Sequence, residues 1–188
     1  MALPALTAVY LDFADAASYR VWRWVSLLPE RSSVEVRPFA AGGTVEPWDA
    51  EEHTWALDVL ALGELARDCG AAMHVAFVDA AFSVLHDRPD PSDATNLGAF
   101  LSLGAELGLD LAGFTDDTDR WRAEVGLWHR EARDELGVEE VPALVFDDEH
   151  ALRVVLESDV PDPADAARLL ADLADLVRQP VREVERTA

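Results

Sequence analysis

Thr7-Ala8-Val9-Tyr10-Leu11-Asp12-Phe13 is a nearly continuous apolar run, and its reading decides the fold. Such a run matches a central strand covered on both faces. A helix is expected over residues 15–28. Asp15 is a capping residue type, and Val21, Trp22, Val25 and Leu28 recur on one face. Pro29 and the polar Glu30-Arg31-Ser32-Ser33 stretch end it. Residues 34–39 then alternate apolar and polar, with Pro38 near the end, as suits an edge strand. The three segments make a β-α-β unit with parallel strands and a right-handed crossover.

Working outward, residues 54–136 carry helical patterns and no convincing strand. One stripe is Trp55, Val59, Leu62, Ala66 and Cys69. A second holds Phe77, Ala80, Ala81, Val84 and Leu85, stopping before Pro89-Asp90-Pro91. A third holds Leu97, Phe100, Leu101, Gly104 and Leu107. A longer helix follows the acidic lead-in Thr115-Asp116-Asp117-Thr118-Asp119, which complements the helix dipole, and ends at Gly137. Its stripe is Trp121, Val125, Trp128, Ala132 and Leu136.

Strand character returns at residues 143–146 and 152–156, joined by the polar turn Asp147-Asp148-Glu149-His150. Asp162-Pro163 opens a last helix, with Leu169, Leu170, Leu173, Leu176 and Val177 on its buried face. The charged tail after Pro180 is expected to fray. The order is β-α-β, a helical block, then β-β-α. The expected fold class is α/β: a thioredoxin fold with a four-stranded mixed sheet. A large all-helical insertion lies between the second and third strands. The corresponding division is residues 1–45 with 138–188 as the thioredoxin-like domain and 46–137 as the helical insertion domain.

Composition narrows the function classes. The formal net charge is −22, and every one of the 15 basic residues is Arg. A field this negative repels phosphate backbones and anionic lipid, so nucleic-acid and membrane partners are not expected. With no Lys, Schiff-base and Walker-type chemistry is excluded. The N-terminal segment has neither the basic stretch nor the processing pattern of a signal peptide, and a cytoplasmic location is the expectation. The single Cys, Cys69, forbids an intramolecular disulfide within this chain. Its place on a helical stripe reads as a packed, inert thiol.

Two segments carry a family resemblance. Tyr10-Leu11-Asp12-Phe13 leading into Ser18-Tyr19 resembles the opening of DsbA-like proteins. The likeness is strongest to the branch of FrnE, the 2-hydroxychromene-2-carboxylate isomerases and the kappa-class glutathione transferases. Gly137-Val138-Glu139-Glu140-Val141-Pro142-Ala143-Leu144-Val145-Phe146 resembles the segment in which that family's cis-proline opens the third strand. The resemblance covers almost the whole chain and implies that Asp15-Ala16-Ala17-Ser18 stands at the reactive tetrapeptide. Redox members carry Cys at both ends of it; here both thiols are absent. Dithiol–disulfide exchange needs a thiolate attacking sulfur, so this chain is not expected to perform it.

Candidate site residues follow from the resemblance. Asp15 reads first as a helix cap; the alternative is a general base. Ser18, or Ser18 with Tyr19, would hydrogen-bond a bound thiol or an enolising substrate. Trp22, Val141 and Pro142 complete the ligand-binding set, with an extended ligand pairing on the backbone before a cis Pro142. No metal site is read from His53, His74, His86, His129 and His150. His86 with Asp87 and His129 near Glu131 suggest acid–base pairs, but helix-surface histidines explain both at least as well. The Trp residues on helical stripes are assigned to core packing.

The functional expectation is a small thiol or apolar metabolite bound in the cleft between core and insertion. Isomerase- or transferase-like activity is an extension implied by the Ser-bearing relatives. The alternative is a catalytically inactive fold serving as a protein-interaction or scaffold module. No cofactor motif is present, and a low-molecular-weight thiol is the candidate the resemblance supplies. The partner is a small-molecule ligand or a protein, with homodimerisation left open.

Overall fold

In the computed structural model, residues 3–40, 46–49, 53–87, 97–178 and 183–186 are described. The apolar opening run forms β1 (Leu6–Leu11), with Ala8, Val9 and Tyr10 fully buried. Asp15 then starts α1 (Ala16–Val25), and β2 (Glu35–Pro38) follows. Five helices come next: α2 (Trp55–Asp68), α3 (Ala71–His86), α4 (Leu97–Leu107), α5 (Leu111–Asp116) and α6 (Thr118–Asp134). The chain closes with β3 (Ala143–Phe146), β4 (His150–Leu156), α7 (Pro163–Val177) and β5 (Glu183–Arg186).

The sheet order is β2-β1-β3-β4-β5. β1 and β3 are antiparallel, as are β3 and β4, while β4 and β5 are parallel. The four expected strands thus form a mixed sheet with β2 at its edge. β5 adds a fifth strand where the sequence reads a fraying tail. Its four residues, Glu183-Val184-Glu185-Arg186, lack the apolar alternation that marks strands. Its place comes from backbone pairing with β4, which composition does not announce.

The chain divides into two compact units. The first comprises residues 1–11, 15–37 and 131–188; the second comprises residues 12–14 and 38–130. In the first unit α1 and α7 lie side by side, Trp24 Nε1 donating to the Ala166 carbonyl at 3.2 Å. α1 also lies against β4, where Arg20 Nη1 donates to the Leu156 carbonyl at 3.2 Å. The α7 start follows the sequence closely: Asp162 accepts from the Ala164 and Asp165 N–H groups, with Pro163 at the first helical position.

In the second unit α2 packs against α3 and α4. Phe13 meets Phe77 and Phe82 edge to face, at centroid distances of 6.0 and 5.3 Å. α2 and α6 run in the same direction. Asp58 pairs with Arg122 and Glu64 with Trp128, and both partners are offset by 64 residues. The acidic lead-in expected before a single helix instead straddles α5 and α6. Pro89-Asp90-Pro91, read as a helix stop, lies outside the described residues.

Three side chains differ from their sequence readings. Cys69 is exposed, because α2 ends at Asp68 and the thiol falls on its C-cap, beyond the buried stripe. His129 is buried, its ring stacked on Phe39 at 4.2 Å with Trp48 edge-on at 5.0 Å. His86 is half-buried, its Nε2 lying 2.9 Å from the Phe13 carbonyl oxygen. Gly126 admits the Trp48 ring against α6: a Cβ there would come within 2.8 Å of it.

Candidate functional site

The head of α1 is organised by Asp15. Its backbone is extended (φ −88°, ψ 122°), which aims its carboxylate back along the first helical turn. Oδ1 accepts from the Ala17 N–H at 3.2 Å; Oδ2 accepts from the Ser18 N–H at 2.7 Å and the Ser18 hydroxyl at 2.8 Å. The carboxylate therefore fills the positive end of the helix dipole with its own charge. It remains half-exposed, whereas Ser18 is completely buried. The capping role read for Asp15 is the one the structure displays.

Tyr19, half-buried on the next position, carries Arg23 over its ring at 5.7 Å. Trp22 is buried one turn along, covered by the Arg31 guanidinium at 4.9 Å. It is a packing element of α1, and its ring is not offered to solvent.

Val141 and Pro142 reach the same end of the sheet through strand register. Tyr10 is paired with Ala143, so the end of β1 and the start of β3 lie at the same end of the sheet. The Val141–Pro142 bond is cis, as the resemblance implies. Pairing with β4 begins at Pro142, whose carbonyl accepts from the Val154 N–H at 3.1 Å. Val141 lies one residue beyond that pairing and is half-buried. Among the described residues its N–H and C=O have no hydrogen-bond partner. Asp15 and Ser18 are thus in direct contact, Val141 and Pro142 stand at the same sheet end, and Trp22 faces inward.

A second polar cluster escapes the sequence reading. The Tyr10 hydroxyl donates to Glu131 Oε1 at 3.1 Å, and Arg37 Nη1 pairs with the same oxygen at 2.8 Å. Arg37 Nε also pairs with Glu35 at 2.8 Å. Burial first, partly offset by Arg37, pushes the Tyr10 pKa up to about 12. The cluster ties β1, β2 and the end of α6 together, one guanidinium serving two carboxylates. The only signal for it is an Arg within an alternating strand, which by itself reads as solvent-facing.

Among the described residues no group of three or more His, Cys, Asp or Glu side chains is placed to hold a metal ion. No helix among them is long and apolar enough to cross a membrane.

No protein-family model matches the sequence, and no curated protein matches it. Solved structures do match. The probable DsbA oxidoreductase of Streptomyces coelicolor is 18% identical with a TM-score of 0.60, covering 96% of this chain and 94% of its own. The thiol-disulfide exchange protein alpha-DsbA2 of Wolbachia pipientis is 15% identical with a TM-score of 0.57, covering 89% and 78%. A Proteus mirabilis DsbA carrying a cysteine-to-serine substitution, in complex with a non-covalently bound peptide, is 13% identical with a TM-score of 0.58, covering 93% and 90%. These similarities show the fold: this chain has a DsbA-like thioredoxin fold, and it has one cysteine.

Proposed function

We propose that this chain is a non-redox binding protein built on a DsbA-like fold. It holds a small thiol or an extended peptide-like ligand non-covalently at the head of α1 and the backbone of Val141. One observation carries the reading. Where dithiol chemistry needs two thiols, Asp15 and Ser18 are instead hydrogen-bonded to each other at 2.8 Å. A carboxylate and a hydroxyl cannot exchange electron pairs with a disulfide. An unpaired N–H and C=O at a strand end can pair with an extended segment. That a Proteus mirabilis DsbA of similar fold holds a peptide non-covalently supports non-covalent peptide binding as a use of this fold.

Turnover is the less favoured extension. The Ser18 hydroxyl donates to Asp15 as an activated nucleophile would, but it is completely buried, which keeps it from meeting a substrate. The second reading, a catalytically inactive fold acting as an interaction module, shares the binding prediction and differs in ligand size.

Thermal denaturation with low-molecular-weight thiols, apolar metabolites and extended peptides tests the proposal. At 100-fold excess over the dissociation constant a true ligand stabilises by about 2.7 kcal/mol, a readily measured rise in melting temperature. The purified protein is expected to show no catalysed disulfide reduction. Catalytic turnover of disulfides, or no stabilisation by any of these compounds, overturns the reading.

A further inference from the structure

We infer that the solvent side of α6 is a docking surface for an amphipathic helix of a partner protein, one whose two carboxylates bracket an apolar side chain. Arg120, Ala123, Leu127 and Arg130 are all exposed on α6. Offsets of three, seven and ten residues bring them onto one side of the helix, and the two arginines stand about 15 Å apart along its axis. Leu127, at 54%, is the most exposed large apolar side chain among the described residues. An exposed leucine alone is ordinary. Two unanswered cations beside it are not.

Acids outnumber bases in this chain by 37 to 15, so an arginine has many carboxylates to choose from. Arg37, Arg67, Arg122 and Arg153 each pair with one. The guanidinium groups of Arg120 and Arg130 have neither an ion pair nor a hydrogen bond among the described residues. Each lies over an indole instead, Arg120 over Trp121 at 4.4 Å and Arg130 over Trp48 at 5.5 Å. Gly126 makes the second seat possible, because a Cβ there would come within 2.8 Å of the Trp48 ring. A guanidinium laid on a ring face is held in place while the N–H groups in its own plane stay available. The two cations are thus preorganised for carboxylates, with Leu127 between them for an apolar contact. The net charge of −22 sets the long-range field against an acidic partner. The contact therefore works at short range, and the matching helix carries its carboxylates at these two positions without being acidic throughout.

The test uses the full chain and three labelled amphipathic helical peptides with a leucine between two variable positions ten residues apart. Both positions are Glu, Gln or Lys, and binding is followed by fluorescence anisotropy. The Glu peptide is expected to bind about fivefold more tightly than the Gln peptide, the scale of two solvent-accessible ion pairs. That preference should collapse in about 1 M salt. Arg120→Gln and Arg130→Gln are each expected to shrink it, while Leu127→Ala weakens the Glu and Gln peptides alike and leaves their ratio in place. Arg168→Gln, an exposed change on α7, should alter neither affinity nor preference. Tightest binding by the Lys peptide assigns the association to the overall negative field and overturns the proposal. So does an equal loss in Arg168→Gln, or the absence of binding by every peptide. Self-association in sedimentation that Leu127→Ala abolishes makes the occupant a second copy of this chain, and overturns the assignment to a partner helix.

Discussion

The head of α1 and the seam between α2 and α6 each set a carboxylate against hydrogen-bond donors, by opposite routes. At the head of α1 everything is local: Asp15 and its donors lie within three residues, and the carboxylate stays half-exposed. In the seam, Glu64 is 4% exposed and is held by Arg67 one turn away and by Trp128, 64 residues further along the chain. Arg67 also lies over the Trp128 ring at 4.9 Å. Burial pushes the Glu64 pKa up, with Arg67 and Trp128 partly offsetting it. The contrast separates a charge kept available from a charge enclosed for packing. The first can meet a ligand; the second holds two helices in register.

If that distinction is right, removing the enclosed carboxylate costs more. Glu64→Ala strands a largely buried guanidinium and an indole N–H, and is expected to lose about 3 kcal/mol in urea denaturation. A loss below about 1 kcal/mol would place the seam with ordinary surface ion pairs. Next in size is His74 of α3. Burial, followed by the Arg67 charge, pushes its pKa down to about 3 from 6.5. Its folded pKa is depressed, so the unfolded chain binds the proton first as pH falls. The contribution of neutral His74 is therefore complete above pH 6.5 and is lost progressively toward pH 3. At pH 5 the loss is about 2 kcal/mol. Comparing wild type with His74→Gln across this window isolates it from the 37 acidic side chains, which titrate in both proteins. Parallel stability curves would show that His74 is not the acid-sensitive group.

How legible each region is follows from the range of its interactions. The α1 cap, the Asp162-Pro163 start of α7 and the β3–β4 hairpin are written in residues a few positions apart, and the structure reproduces them. The resemblance at Val141-Pro142 supplies the cis bond, which composition alone leaves open. The seam is not legible. Glu64 and Trp128 find each other only after two helices align, and neither spacing nor composition marks them as partners. Cys69 misleads because a stripe that continues in sequence stops in space once the helix ends. His129 reads as a surface group because its cover, Phe39 and Trp48, comes from outside its own helix. β5 goes unseen because its strand identity rests on a partner's edge.

The smallest expected effect bears most directly on the open carboxylate. Asp15→Ala removes the acceptor for two helix N–H groups and for the Ser18 hydroxyl. Loss of an N-cap costs about 1 kcal/mol, and the buried Ser18 hydroxyl raises this only if no other acceptor takes its proton. Asp15→Asn restores the cap and is expected to recover most of that stability. The pair separates shape from charge at Asp15. If Asp15→Asn is as stable as wild type, the cap is a matter of acceptor geometry, and the formal charge is not needed to hold the helix. If Asp15→Asn is instead as unstable as Asp15→Ala, the formal charge itself holds the helix terminus, and the carboxylate is a structural anion like Glu64, with no part left over for a ligand.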